Sequence, residues 1–501
     1  MSGDQESFYS EFRVRGGVVL VLHEDHDSPP EKLLQAIWLH QRVLRDQLRT
    51  LDGQPIRVLH PGFHNLEGGP DFRGALVQFD DEPAKTGDIE IDLRSSGWHA
   101  HGHDRNPAFR GVILHVIWEG DRRAVDGPPV LVLRRVLDAP LGELSLWLGG
   151  ETAPGFPEEQ RGHCCVPMRR LNNEQVLELL SQAAHVRLRG KAAQFQARAR
   201  QAGWEQALWE GVFRALGYKN NSWPMQRLGE LRPRWDLKAG VSVDGSVSAA
   251  ATTEIRDSTE RISVLQVQAR LLGLSGLLPA DLTRTEPGSD DYLRCVWDHW
   301  WRDRDGLSDI ILPKTTWRLH GLRPANHPQR RLALAAAWAV GGSLGVRLEQ
   351  WCSREISPGA RVGALLEALR VDPDVFWSWH WTLNSPRFPR EQPLLGATRV
   401  TDLAVNVVLP WLWIRAAEGK NQVLQQRLGE YYFNWPAAQD NSVLRLARQR
   451  LLGGAPGCAS AGAATQQGLI QIVRDFCDHS NANCENCKMP DLVQDFCARR
   501  I

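Results

Sequence analysis

The hydrophobic positions between residues 28 and 53 repeat with the period of an α-helix. Ser28, two prolines and Glu31 form a typical helix start, with a capping serine, proline in the first turn and glutamate three residues on. Asp52-Gly53 is a typical turn. We therefore predict a helix over 31–48, whose buried stripe consists of Leu33, Leu34, Ile37, Trp38, Leu44 and Leu48.

After residue 53 the period of the hydrophobic positions shortens to that of β-strands. Residues 88–93 alternate polar and apolar side chains, which is typical of a strand with one buried face. Residues 111–118 are almost continuously apolar, as in a strand buried on both faces. We predict an α/β domain over 1–150 with a mixed central sheet, whose strands are 56–59, 72–79, 88–93, 111–118 and 130–133.

Beyond residue 150 the chain becomes helical. Residues 151–169 are rich in Pro and Gly and are interpreted as a linker; helical spacing dominates 170–454, and 455–501 are a flexible linker with a cysteine-rich, metal-binding tail. The fold class is thus an α/β domain followed by a mainly α-helical region and a small C-terminal cysteine segment. The predicted helices are 174–201, 204–216, 262–272, 328–339, 359–369 and 404–417, with a loop at 244–253.

Composition and charge narrow the class of protein. The formal net charge is zero, so any surface for nucleic acid must be a local patch. The polar start MSGDQESFYS is unlike a signal peptide, and no run of about 18 apolar residues lacks charges, so we expect no membrane association. Nine scattered cysteines without a signal favour a reducing, cytoplasmic location.

Four acidic residues accompany the second and third predicted strands. Asp88, Glu90 and Asp92 alternate along one strand and share a face, and Asp71 precedes the neighbouring strand. Such acids repel one another, and Mg²⁺ or Mn²⁺ would relieve that repulsion. The alternative is an exposed sheet face that bears solvated acids.

A cluster of histidines follows the acids. If residues 98–104 are extended, His99, His101 and His103 share a face, which suits transition-metal coordination or proton transfer near neutral pH. His115 lies within the apolar fourth strand, where a single histidine is more often a satisfied core residue.

The hairpin Pro70-Asp71…Glu90-Ile91-Asp92 after the first helix resembles the core of PD-(D/E)XK nucleases of the restriction-endonuclease-like fold. This resemblance implies that Asp71, Glu90 and the carbonyl of Ile91 bind Mg²⁺ or Mn²⁺, with Asp88 as an additional metal ligand or as a group that orients the ligands. In that family a lysine two residues after the glutamate positions the attacking water, whereas this chain has Asp92 there.

The missing lysine leaves its role to other residues. Arg94, His101 and His103 are the candidates, and either histidine could take or give the proton. Asp92 is then an expected catalytic residue, either as a metal ligand or as a group that orients the metal ligands.

The chain also resembles the bacterial family DUF2851 over most of its length up to about residue 420. That resemblance supports a fold rather than a reaction. It rests on the segments Leu34–Trp38, Pro61–Phe72, Ser95–His103, Val112–Val116 and Gly321–Leu332, together with Glu90.

Arg323, Arg330 and Arg331 accompany a proline-started helix at 328–339. Arginine forks and helix N-termini both favour phosphate, so we expect these arginines to contact nucleic acid, which we take to be DNA, and we add Trp98 as an aromatic contact. The alternative is a buried turn between helices in which the arginines pair with acids.

Four cysteines crowd the C-terminus in the order Cys477-x6-Cys484-x2-Cys487-x9-Cys497. This density predicts a structural metal site. The first three spacings resemble the iron–sulfur loop of endonuclease III-type DNA glycosylases, and the longer last gap keeps a 4Fe-4S cluster, Zn²⁺ and no metal open as alternatives.

Three functions are compatible with these features. The first is a Mg²⁺- or Mn²⁺-dependent nuclease, and the second is a non-enzymatic nucleic-acid-binding or adaptor protein that keeps the fold. The third is a histidine-rich small-molecule metalloenzyme, which would require an all-β core. The substrate, the pathway and the oligomeric state do not follow from the sequence.

Overall fold

The fold is described from a computed structural model over residues 7–15, 29–65, 69–120, 127–148, 165–218, 221–236, 263–279, 290–320, 322–453, 462–477 and 487–499. Contacts divide the chain into two compact units. Unit 1 combines Met1–Ala197 with Glu430–Ile501, and unit 2 is Arg198–Gly429. This division differs from the predicted consecutive boundaries, because the C-terminal helices belong to the same unit as the N-terminal sheet. The loop predicted at 244–253 lies outside the described residues.

Unit 1 contains a six-stranded mixed sheet with the order β1-β3-β4-β5-β6, and β2 pairs with β3. β1, β3 and β4 are antiparallel, whereas β5 and β6 add in parallel. A mixed N-terminal sheet followed by a helical region is therefore confirmed. The strands are β1 Ile56–His60, β2 Phe63–His64, β3 Phe72–Phe79, β4 Lys85–Asp92, β5 Val112–Ile117 and β6 Val130–Val132.

The described helices include short single turns as well as long core helices. They are α1 Phe8–Arg15, α2 Glu31–Leu39, α3 Gly97–Ala100, α4 Leu141–Leu148, α5 Cys165–Met168, α6 Asn173–Ala202, α7 Trp204–Leu216, α8 Ser222–Glu230, α9 Arg232–Trp235, α10 Val264–Leu274, α11 Asp290–Asp303, α12 Pro328–Val340, α13 Leu344–Ser353, α14 Arg361–Ala368, α15 Ala397–Leu403, α16 Leu409–Glu418, α17 Gln422–Phe433, α18 Ser442–Leu452, α19 Ala463–Cys477 and α20 Met489–Ala498.

The core of the sheet lies beneath α2. Ile89 and Ile91 of β4 belong to the same buried apolar cluster as Ile37 and Trp38 of α2. Because side chains alternate along a strand, burying these isoleucines turns Glu90 to the opposite face of β4. The apolar packing therefore sets where the acidic side chains of β4 lie.

The prediction that α2 extends to residue 48 is wrong. The helix ends at Leu39, and Gln41 adopts a left-handed backbone conformation with φ of 47°. Val43 then forms a β-bridge with Leu137, and the N–H of Leu44 donates to a carbonyl of the same distant segment. Apolar residues after position 40 keep the helical spacing by coincidence, because they are buried through these tertiary contacts.

The first described helix of the chain contacts the last two in unit 1. Arg13 of α1 forms a buried ion pair with Asp475 of α19 (3.0 Å), and the hydroxyl of Tyr9 donates to the same carboxylate (2.7 Å). Phe8 packs against Phe496 of α20. The C-terminal segment, predicted as a linker and tail, thus contributes helices to this core, and Ala463 and Ala464 of the predicted linker begin α19.

Among the described residues, unit 2 contains a helical stretch that is long and apolar enough to cross a membrane, Ala397–Glu418. Its length and composition would suit a membrane span, but 67% of its apolar window is buried within the protein, as in the core helix of a globular unit. The stretch is α15, a π-helical segment over Ala404–Val408, and α16. The predicted helix 404–417 is therefore longer at its N-terminal side.

Arg330 and Arg331 of α12 lie in the interior of unit 2, with 1% and 5% of their surface exposed. The guanidinium of Arg331 donates to the carbonyl of Leu394 (2.8 Å). The expected phosphate contact is replaced by carbonyl contacts that hold the segment after α14. Arg330 donates to the carbonyls of Trp377, His380 (3.1 Å), Gln392 (3.0 Å) and Pro393 (2.9 Å).

Replacing Arg330 by methionine should lower the free energy of unfolding by about 3–5 kcal/mol, because several buried carbonyls lose a charged donor. The measurement is the midpoint of urea unfolding followed by tryptophan fluorescence. The control is the exposed Arg390→Met, which should change stability by less than about 0.5 kcal/mol. Equal midpoints for both variants would show that the carbonyl contacts contribute little.

Candidate metal centre

Asp71 and Glu90 come from adjacent antiparallel strands. Phe72 of β3 pairs with Ile89 of β4, which places Asp71 beside the Glu90–Ile91 segment. The N–H of Asp71 donates to Oε2 of Glu90 (3.2 Å), and the N–H of Ile91 donates to Oδ2 of Asp71 (3.0 Å). The structure therefore brings these two predicted residues into one pocket.

Helix α2 supplies two further residues that were not among the predicted site residues. Nε2 of Gln35 donates to Oδ1 of Asp71 (2.8 Å) and to Oε1 of Glu31 (3.2 Å). The signal was their spacing of four residues, which places both side chains on the same helix face. Gln35 orients Asp71, and Glu31 adds a third carboxylate to the surroundings of the pocket.

The carboxyls of Asp71 and Glu90 resist ionisation. Burial raises the pKa of Glu90 to about 9, and the neighbouring charge of Asp71 adds to the shift. Burial also raises the pKa of Asp71 to about 7, with Glu31 as the next cause. Within the described ranges around this sheet, no lysine or arginine forms an ion pair with either group. A bound cation would stabilise both ionised forms.

Asp92 is buried at the end of β4 and is held between two histidines. Nε2 of His115 donates to Oδ2 of Asp92 (2.9 Å), and Nδ1 of His101 lies 3.1 Å from Oδ1. His115 is fully buried, as expected of a core histidine, and its partner is a predicted site residue. The His101 side chain is 55% exposed, so this side of the group faces solvent.

His103 lies between the acids and an aromatic wall. Its Nε2 is 3.3 Å from Oε1 of Glu90, and its ring packs 4.0 Å from Phe109 and 5.5 Å from Trp98 between centroids. Burial lowers the pKa of His103, which favours the neutral imidazole. Neutral imidazole is the form that binds a metal.

The condition under which the three histidines would share a face is not met, because Gly97–Ala100 is a helical turn and residues 101–105 continue as turns. His99 points elsewhere and pairs with Asp104 (3.5 Å). His101 and His103 still meet, with ring centroids 5.4 Å apart, since Gly102 between them has φ of +71° and reverses the chain.

In the part of the chain that the structure describes, one group of three His, Cys, Asp or Glu side chains has its candidate ligand atoms close enough together to hold a metal ion. Candidate ligand atoms of Asp92, His101 and His103 all lie within 4.8 Å of one another. Asp88, predicted as a further ligand, instead accepts a hydrogen bond from the N–H of Gly74 (3.0 Å), and its described contacts do not include Glu90 or Asp92.

Gly97 leaves room for the Asp92 carboxylate. A Cβ at this position would lie 2.6 Å from Cγ of Asp92, which is closer than atoms can approach.

Replacing Gly97 by alanine should therefore displace Asp92, disturb its contact with His115 and lower the melting temperature by several degrees, or about 1–3 kcal/mol. Thermal unfolding is the measurement. The control is Gly363→Ala on helix α14, which has no atom within 4 Å of the added Cβ and should be neutral or stabilising.

Two other predicted nucleic-acid contacts have contrasting positions. Trp98 is 5% exposed and packs against His103 and His115, so it forms a wall of the site rather than a surface for a base. Arg323 is exposed before the turn Pro324–Asn326 in unit 2. Of the four predicted contacts, Arg323 alone presents a large exposed surface.

The cysteine-rich tail is described in part. Cys477 is buried in the apolar cluster of the terminal helices, and Cys487 and Cys497 pack against the same cluster. Cys484 lies outside the described residues. A 4Fe-4S cluster or Zn²⁺ at these cysteines stays a proposal.

Comparison with known proteins identifies the family. The family described as "Protein of unknown function (DUF2851)" matches residues 31–243 and 245–441. The chain belongs to this family. No curated protein and no solved structure matches the chain. The DUF2851 match includes α2, the whole sheet and all residues of the candidate metal centre. It does not include the terminal cysteines.

Proposed function

We propose that this DUF2851 protein is a divalent-metal-dependent phosphodiesterase that cleaves nucleic acid, with DNA as its substrate. The observation that carries the proposal is the buried pairing of Asp71 and Glu90, whose charges no described lysine or arginine neutralises. A helix followed by a hairpin with aspartate on one strand and glutamate on the next is also what the resemblance to PD-(D/E)XK nucleases implies.

The residues present fit a hard divalent cation. Asp71, Glu90 and the carbonyl of Ile91 would hold Mg²⁺ or Mn²⁺, which supplies positive charge to the scissile phosphate and acidifies a nearby water. Gln35 and the N–H of Ile91 orient the Asp71 carboxylate through hydrogen bonds of 2.8 and 3.0 Å.

Position 92 lacks the lysine that the resemblance places there. Asp92 is fixed by His115, so the missing positive charge must come from another group. His101, exposed and 3.1 Å from Oδ1 of Asp92, is a described residue that can exchange a proton with solvent. His103 is shielded by Trp98 and Phe109 and is less suited to proton transfer.

The absence of this lysine also favours the second function, a binding or adaptor protein without hydrolytic activity. Incubating the full chain with supercoiled and single-stranded DNA, with Mg²⁺, Mn²⁺ or a chelator, distinguishes the two. We expect nicking that requires the metal. DNA binding without cleavage under every metal condition would favour the adaptor. The third function lacks its required all-β core, because α2 packs on the sheet.

A further inference from the structure

We propose that Asp92, His101 and His103 form a second metal position that takes a divalent transition-metal ion, with Zn²⁺ as the preferred ion. Its donor set is one carboxylate oxygen and two imidazole nitrogens, all within 4.8 Å of one another. Imidazole nitrogen suits Zn²⁺ and related ions, whereas Mg²⁺ prefers oxygen. The position therefore differs in chemistry from the oxygen-lined pocket of Asp71 and Glu90.

The donors on His101 and Asp92 have the spacing of ligands that share one ion. Nδ1 of His101 lies 3.1 Å from Oδ1 of Asp92. Metal–ligand bonds of about 2.0–2.1 Å place neighbouring ligand atoms about 2.9–3.4 Å apart in octahedral or tetrahedral geometry. The third donor, on His103, lies within 4.8 Å of the other two, and the exposed side at His101 leaves a path for the ion.

The state of His103 is an independent observation. Its side chain is 9% exposed, and neither ring nitrogen makes a hydrogen bond. Buried polar groups are nearly always satisfied, and an orphaned one costs free energy. Nε2 points to the acidic side of the pocket, 3.3 Å from Oε1 of Glu90. A metal ion would provide the partner that this nitrogen lacks.

Residues around the donors hold them in place. His115 donates to Oδ2 of Asp92, which leaves Oδ1 of the same carboxylate facing His101. Trp98 packs against both His103 and His115, with centroids 5.5 Å apart in each pair. Hydrogen-bonded carboxylates and packed imidazoles are typical of ligands whose orientation is fixed before the ion binds.

Glu90 connects the two positions. Its Oε1 faces His103, and its Oε2 accepts the N–H of Asp71. An ion at the histidine position would supply positive charge beside residue 92, where the PD-(D/E)XK resemblance has a lysine. This catalytic role rests on the proposed function, whereas the binding of the ion does not.

Zinc binding by the full chain tests the inference without an activity measurement. Isothermal titration of chelator-treated protein with Zn²⁺, in an excess of Mg²⁺, should show one equivalent more for the wild type than for His101→Ala. His101 is chosen because its side chain is 55% exposed, so its loss should not affect folding. Any zinc bound by the terminal cysteines is common to both proteins and cancels in the difference.

The matched control is His99→Ala, which removes a neighbouring exposed histidine that pairs with Asp104. This variant should retain the wild-type stoichiometry. Equal stoichiometry in the wild type and His101→Ala, or an equal loss in His99→Ala, would overturn the inference. If His101→Ala loses one zinc equivalent and the wild type does not cleave DNA, the zinc site is supported and the nuclease proposal is rejected. Failure of the inference and failure of the proposed function are therefore distinguishable.

Discussion

Replacing Glu90 by glutamine should lower the rate of Mg²⁺- or Mn²⁺-dependent DNA cleavage by roughly 10²–10³-fold, the usual cost of losing one electrostatic element of an active site. Glutamine has almost the same shape and can still accept the N–H of Asp71 at Oε1. What it loses is the negative charge that would hold the cation beside Asp71. The measurement is the initial rate of nicking of supercoiled DNA at saturating metal.

The control for this variant is Glu82→Gln, the same chemical change at an exposed turn. Glu82 pairs with Lys85 (2.7 Å), and both side chains are more than half exposed. Its cleavage rate should equal that of the wild type. Identical rates for Glu90→Gln and the wild type would place the catalytic metal elsewhere and remove Asp71–Glu90 as the active centre.

The second large effect concerns stability in the absence of metal. The pKa of Glu90 rises from 4.5 to about 9 on folding, and that of Asp71 rises from 3.8 to about 7. A raised pKa in the folded protein means that stability is greatest below the unfolded value and is lost as the pH rises through the folded value. The metal-free protein should therefore lose stability between about pH 5 and 9.

Other groups oppose this trend in the lower part of that range. Burial lowers the pKa of His185 and of His327 to about 4, so these histidines reduce stability as the pH falls below their unfolded value of 6.5. Above about pH 7.5 they are neutral in both states, and the raised carboxyl pKa values then contribute to the slope. Burial also raises the pKa of the Cys352 thiol to about 11, which adds a loss of stability in the same direction near pH 9. Thermal unfolding with a chelator, compared at pH 7.5 and 9 for the wild type and for Glu90→Gln, isolates the contribution of Glu90.

Glu90→Gln should flatten this dependence and raise the metal-free stability by about 1–3 kcal/mol at alkaline pH, a figure discounted from about 1.4 kcal/mol per pKa unit for solvent screening. This corresponds to several degrees in melting temperature, at about 2–4 °C per kcal/mol. Mg²⁺ or Mn²⁺ should stabilise the wild type and not the variant. A wild type whose melting temperature is unchanged between pH 7.5 and 9 would contradict the prediction.

The two predictions together describe a conflict between stability and cation binding at Glu90. Glu90 destabilises the metal-free protein because its carboxyl is buried near Asp71, and the same burial favours a bound cation. Destabilising groups of this kind are typical of functional sites, where the requirements of binding outweigh those of stability. A variant that gains stability and loses cleavage would fit this account, whereas a purely structural glutamate would lose stability when its charge is removed.

Much of the local structure follows from residue patterns. β3 coincides with its predicted bounds, and α7 also agrees at both ends, because strand and helix periodicity are strong in these segments. Adjacent strands place residues at their matching ends side by side, so the proximity of Asp71 and Glu90 was predictable. The end of α2 was not, because Val43 is buried by a segment almost a hundred residues away.

The arginines of α12 illustrate a second limit of sequence patterns. A proline-started helix with arginines has the composition of a phosphate site, yet Arg330 donates to main-chain carbonyls in the interior of unit 2. Composition reports which bonds a side chain can form, and only packing decides which partner it meets. The buried turn, one of the alternatives, describes these arginines better, although they contact carbonyls rather than acids.

The sequence by itself determined the strands and most helices, the sharing of one strand face by Glu90 and Asp92, and the presence of histidines nearby, since all of these depend on neighbours along the chain. Tertiary structure alone decided that Gln35 reaches Asp71, that a turn brings His101 and His103 to Asp92, and that His115 holds this carboxylate. These contacts join segments distant in sequence, and their geometry depends on how the apolar faces of α2 and the sheet pack, which no local pattern encodes.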